Sequence, residues 1–313
     1  MRFSGNYDNT IPVIIISAIL SCFCFGCSGD RGAAGKTSPL SDKEFNLVFE
    51  RGNLDKIYAL NDSQAERLAG FGGTYLNLVN LKQLTVRQAV ELAKFRGKGL
   101  DLSSLTELPD SLAQAVAGSR AYRLYLNGIT ELSEEAAKVL AGYGGYELFL
   151  NSLQTLGIKQ AEAFMDFEGK SIYLNGIRYL TEDGAAVLSK FKVQYITLDG
   201  IESLSNRQAI ELSTFRGKGL SFNGLKELTD FQAEAFAVFG GTELFLNGIE
   251  TITDRQAELL SQFLGGWLHL NGIKSLSRNQ ARTLARLKGE VYLDGLDEDS
   301  RSMFEGFREN DQP

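Results

Sequence analysis

A unit of about 24 residues recurs from Tyr75 nearly to the C-terminus. Its first apolar residue falls at Leu76, Leu100, Leu124, Leu148, Ile172, Ile196, Leu220, Leu244, Leu268 and Val291, with eight spacings of 24 residues and a last one of 23. A register held this tightly means one structural unit stacked on itself, each copy burying its apolar edge against the next. The 313 residues therefore read as one elongated body, not as two average domains. Such a body offers a long regular surface and no obvious cleft.

The unit Leu124 to Glu147 shows how one copy is built. Apolar-x-apolar at Leu124–Leu126 predicts a short strand with two side chains inward and one outward. Asn127-Gly128 is expected to end it, both residues tolerating left-handed backbone angles. Ile129 and Leu132 point inward from the bend, Ser133 starts a short helix, and Ala137 with Leu140 forms its buried stripe. The alanine recurs from Ala65 to Ala281, small enough for each helix to sit close to the sheet. Thr85/Gln88, Ser205/Gln208, Thr229/Gln232, Thr253/Gln256 and Ser277/Gln280 have the spacing of capping boxes, so these glutamines are read as helix-start devices. Glycine pairs such as Gly240-Gly241 and Gly265-Gly266 are read as helix C-caps, lacking the phosphate-loop arrangement.

From Tyr75 to about Leu296 the pattern LxLNGIxxLSxxQAxxLAxFxG resembles leucine-rich repeats of the treponemal (BspA-like) type, with Asn127 where that type has proline. The resemblance implies an α/β leucine-rich-repeat solenoid. It would have about ten strand–helix repeats, with a parallel sheet on the concave face and helices outside. The organisation expected is a signal peptide over 1–26, a lipidated cysteine and flexible tether over 27–50, and an N-terminal capping half-repeat over 51–75. The solenoid follows over 76–296, then a C-terminal cap and tail over 297–313. There Met303, Phe304 and Phe307 cover the last core layer, and Arg308 to Pro313 are expected to be disordered.

The N-terminus reads as an address. Ile11 to Phe25 is apolar and uncharged, too short for a membrane span and suited to the core of an export signal. The stretch FGCSGD resembles the cleavage region of bacterial lipoproteins, which implies lipid on Cys27. Cys22 is the alternative site, and an ordinary cleaved signal or a retained anchor stays open. The expected location is the cell envelope, the outer membrane or cell surface rather than the soluble periplasm, with the membrane reached through the lipid alone.

All three cysteines lie in the first 27 residues, so thiolate metal sites and disulfides are excluded from the repeats. His269 is the only histidine, which rules out a multi-histidine metal site and leaves little for nucleophilic catalysis. No cofactor is expected. Charges of both signs are interspersed around a net charge of −7, with no basic stripe in the sequence, so nucleic acid is not expected as a partner.

The outward strand position gives Asn77, Asp101, Tyr125, Phe149, Tyr173, Thr197, Ser221, Phe245, His269 and Tyr292. Six are aromatic or imidazole, reading as an exposed ladder broken at Thr197 and Ser221 into two patches. The preceding position adds Tyr75, Arg123, Glu147, Tyr195, Glu243 and Trp267. Two meanings remain open: a binding stripe of aromatic anchors in a charged rim, or ordinary cross-strand stacking. The binding residues expected are Tyr125, Phe149, Tyr173, Phe245, Trp267, His269 and Tyr292. The ligand expected is a protein or peptide, with a glycan or a passive spacer role as alternatives and no enzymatic activity. The asparagine column from Asn127 to Asn271, with Asp199 and Asp294, is read as structural.

Overall fold

The computed structural model describes residues 38–310, so the export signal, Cys22, Cys24 and Cys27 lie outside the described residues. Among these, ten three-residue strands, β1 (Tyr75–Asn77), β2 (Gly99–Asp101), β3 (Arg123–Tyr125), β4 (Glu147–Phe149), β5 (Ser171–Tyr173), β6 (Tyr195–Thr197), β7 (Gly219–Ser221), β8 (Glu243–Phe245), β9 (Trp267–His269) and β10 (Glu290–Tyr292), form one sheet in sequence order. Neighbours pair in parallel, 24 residues out of step, except β9 with β10 at 23. Each strand is followed by a helix of seven or eight residues, apart from the longer last one.

The periodic residues build the core as expected. The middle residue of every strand from Leu76 to Leu268 is fully buried, as are all ten helix alanines from Ala65 to Ala281. Full burial of one leucine contributes about 1.5–3 kcal/mol before entropy is set against it. All five expected capping boxes are present. The glutamines do more than cap: Gln256 Nε2 also donates to Leu228 O of the preceding repeat at 2.7 Å, and Gln88, Gln232 and Gln280 make the same bridge. Each thereby ties helix start to neighbouring coil.

The asparagine column is a continuous ladder. The backbone amide of each member donates to the side-chain oxygen of the member before it, from Asn151 N to Asn127 Oδ1 at 3.2 Å through to Asp294 N to Asn271 Oδ1 at 2.9 Å. This satisfies partly buried amides of the turn.

Four local expectations are corrected. The turn glycines do not use left-handed angles; Gly52 is the one residue with positive φ among those described. A glycine is needed at 248 because a Cβ there would stand 2.2 Å from Asn223 O and 2.5 Å from Leu225 O. The pairs at 240–241 and 265–266 lie beyond the helix ends and are not left-handed C-caps. At the N-terminus, part of the expected tether is helix: Asp42–Arg51 begins with a Ser41/Glu44 capping box and ends on Gly52. Phe45 of this helix is buried, Phe49 is partly buried, and the Arg67 guanidinium lies 5.2 Å from both rings, so an amphipathic helix covers the open end of the stack.

At the other end Glu298–Asn310 is helical. Met303, Phe304 and Phe307 pack against the core as expected. Arg308, expected in a disordered tail, instead donates to Ala285 O, Leu287 O and Gly289 O, closing carbonyls that the last coil leaves open.

Candidate functional site

With the middle residue of each strand turned into the core, the first and third residues face outward. The third-position rings meet face to face. Tyr125 stacks on Phe149 at 4.2 Å and Phe149 on Tyr173 at 4.0 Å; Phe245 stacks on His269 at 4.2 Å and His269 on Tyr292 at 4.4 Å. Thr197 and Ser221 separate the two stacks, as the sequence indicates.

The expected exposed ladder is not exposed. Phe149 and His269, in the middle of their stacks, are each 1% accessible, and Tyr173 is buried. Tyr125, Phe245 and Tyr292 are half-buried. Strand spacing of about 4.8 Å sets adjacent rings almost at van der Waals thickness, so each covers its neighbour. Of the seven residues expected to bind, Trp267 is the well-exposed one, at 41%.

Burial also sets the electrostatics. Buried between two rings, His269 is held down to a pKa of about 4, and its Nε2 finds no hydrogen-bond partner. It is a neutral ring in an aromatic stack. Burial pushes the Tyr125 hydroxyl up to about 12. Among the described residues no cluster of three or more His, Cys, Asp or Glu side chains is placed to hold a metal ion.

The first-position residues are cross-braced over two strand spacings. Tyr75 lies over Gly99, and its hydroxyl accepts from Arg123 Nη1 at 2.6 Å. Arg123 also pairs with Glu147. Tyr195 repeats the arrangement over Gly219, its hydroxyl donating to Glu243 Oε1 at 2.8 Å. Burial and this hydrogen bond raise the Tyr195 pKa, and burial raises that of Glu243.

The residues that the sequence reading missed stand one place further upstream. Tyr122 and Tyr146 stack at 4.3 Å and are 37% and 44% exposed. The Arg123 guanidinium lies 5.7 Å from the first ring and Lys170 Nζ 4.8 Å from the second. Extending the column reading by one position would have found them. Tyr75, Tyr122, Arg123 and Tyr146 thus form one contiguous, preorganised cluster beside the first stack. Of the apolar side chains exposed on the helices, Val86 and Val90 share one face of the helix Val86–Leu92, while Ile210 and Phe231 stand on other helices.

No protein-family model matches the chain, and no curated protein matches it. Solved structures do. A leucine-rich-repeat-containing protein, LegL7 from Legionella pneumophila, is similar over 76% of this chain and 91% of its own, at 14% identity and a TM-score of 0.53. An internalin (inlF) from Listeria monocytogenes matches over 85% of each chain, at 13% identity and a TM-score of 0.43. Ten parallel strands, each followed by a helix, together with the likeness to LegL7, make the fold an α/β leucine-rich-repeat solenoid.

Proposed function

We propose that this is a non-enzymatic recognition protein, exported and lipid-anchored at Cys27 to the cell envelope, that binds a protein or peptide on the strand side of the solenoid. The supporting observation is the cluster of Tyr75, Tyr122, Arg123 and Tyr146. Tyrosine and arginine are the residue types that dominate interface energetics. Here they are already held by stacking, a hydrogen bond and an ion pair, so little side-chain entropy is lost on docking. Trp267 supplies a second anchor beside the other stack. The glycan alternative loses Phe149, both of whose faces are covered by its neighbours, and keeps Trp267.

The test is capture from the organism's own envelope extract by the full chain in non-ionic detergent. It runs beside a Tyr122→Ser/Tyr146→Ser/Trp267→Ser variant, whose substitutions lie outside the buried stacks. A polypeptide retained by the native chain and lost by the variant supports the reading. Equal capture by both, or none by either, contradicts it.

A further inference from the structure

The fold gathers basic residues that the sequence disperses. The helix-to-strand connections run along one edge of the sheet, and their backbones continue its ladder. The amide of Arg123 donates to Lys98 O at 2.9 Å, Tyr146 to Tyr122 O at 2.8 Å, Lys170 to Tyr146 O at 2.6 Å, Gln194 to Lys170 O at 2.7 Å and Lys218 to Gln194 O at 2.6 Å. The connections 93–98, 118–122, 142–146, 165–170, 189–194 and 214–218 carry nine basic and two acidic residues, in a chain of net charge −7. The opposite edge is mixed: its first helical turns carry Asp110, Glu134, Glu182, Asp230 and Asp254 but also Lys159, Arg207 and Arg255, with Lys159 paired to Glu134 at 3.3 Å and Arg207 to Glu182 at 3.5 Å. The basic stripe that is absent from the linear sequence is therefore present in the fold, because residues 24 apart become neighbours.

The helix macrodipole does not account for the row. It favours cations within the last turn, whereas Lys98, Lys170 and Lys218 lie well past helices ending at Leu92, Phe164 and Ser213. The hexapeptide Phe-Arg-Gly-Lys-Gly-Leu stands at both ends of the row, at 95–100 and 215–220. The copies are five strand spacings, about 24 Å, apart. Arg96, Lys98, Arg216 and Lys218 in these copies are exposed. Lys192 pairs with Asp166 at 3.7 Å and Lys94 with Glu91 of the adjoining helix at 2.6 Å, and Glu168 is the second acid of the row.

Between the two copies stand Tyr122 and Tyr146. Single-stranded nucleic acid needs open aromatic faces, but these rings cover one another and carry Arg123 and Lys170 beside them. Carboxylates need only cations and donors. We infer that this row docks an acidic polypeptide segment, laid from Arg96/Lys98 past the tyrosines to Arg216/Lys218. This names the chemistry of the protein partner proposed above and rests on that reading.

The experiment titrates fluorescein-labelled poly-L-glutamate with the full chain in non-ionic detergent and reads anisotropy over a range of salt. Arg96→Glu/Lys98→Glu and Arg216→Glu/Lys218→Glu are compared with Lys226→Glu/Lys274→Glu on the opposite edge, which changes net charge equally. The expected result is salt-sensitive binding, weakened about tenfold or more by either row variant and little by the control. Absence of binding, equal weakening by the control, or tighter binding of polygalacturonate or oligodeoxythymidylate overturns the inference. If polyglutamate fails while the envelope capture succeeds, the acidic-segment inference falls and the protein-partner reading stands; if both fail, both fall.

Discussion

Acid should destabilise this fold through His269, and replacing that residue should remove the effect. His269 sits buried between Phe245 and Tyr292 with Nε2 unpartnered, and burial holds its pKa down to about 4. In an unfolded chain the same ring titrates near 6.5. Between these values the unfolded chain binds a proton that the folded chain refuses. Stability is therefore full above about pH 6.5 and falls as pH drops toward 4. One pKa unit corresponds to about 1.4 kcal/mol. With a discount for solvent screening near the sheet surface, the loss at pH 4.5 is about 2 kcal/mol. Glu243, on the neighbouring strand, has its pKa raised by burial and contributes with the opposite sign, so wild-type data alone do not isolate the histidine. His269→Phe keeps the stack and places carbon where the unpartnered nitrogen was. Urea unfolding at pH 7.5 and 4.5 should give a stability gap about 2 kcal/mol smaller in the variant. An equal gap in both proteins, or a larger one in the variant, would mean that His269 is not the group whose protonation destabilises the fold.

Further outcomes follow from the same structure. Asn223→Ala leaves the partly buried amide of Asn247 without its acceptor and should cost about 0.5–1.5 kcal/mol by urea unfolding. Gln256→Ala removes both the cap on Thr253 N and the bridge to Leu228 O, so a loss of about 2 kcal/mol is expected in the same assay. Ala233→Leu places a longer side chain at a fully buried helix position and should lower stability by about 1–3 kcal/mol. Metabolic labelling with an alkynyl fatty acid should mark the wild type and Cys22→Ser but not Cys27→Ser; the reverse pattern would move the anchor to Cys22.

What the sequence makes legible is whatever the 24-residue period dictates. Leu76 to Leu268, the alanines from Ala65 to Ala281 and the Thr/Ser–Gln pairs each occupy a fixed place in the unit, and their periodicity alone predicts burial or capping. The asparagine column was legible as a turn device, though not as a ladder running from repeat to repeat. Properties created between repeats were harder to read. Phe149 and His269 have outward strand positions, yet the spacing that stacks Phe149 on Tyr173 at 4.0 Å also hides it. The basic row escaped for the same reason, since Lys98 and Lys218 are 120 residues apart in sequence and share one edge in space. The helix Asp42–Arg51 lies before the repeats, where no periodicity marks it; Phe45, Val48 and Phe49 carried its signal.

Recognition on the strand side is open to site-specific photocrosslinking. p-Benzoylphenylalanine is placed in cells at Tyr146 on the strand side and, separately, at Ile210 on a helix. One defined polypeptide adduct is expected from position 146 and none in common from position 210. The same adducts from both positions, or none from position 146, would contradict recognition on the strand side.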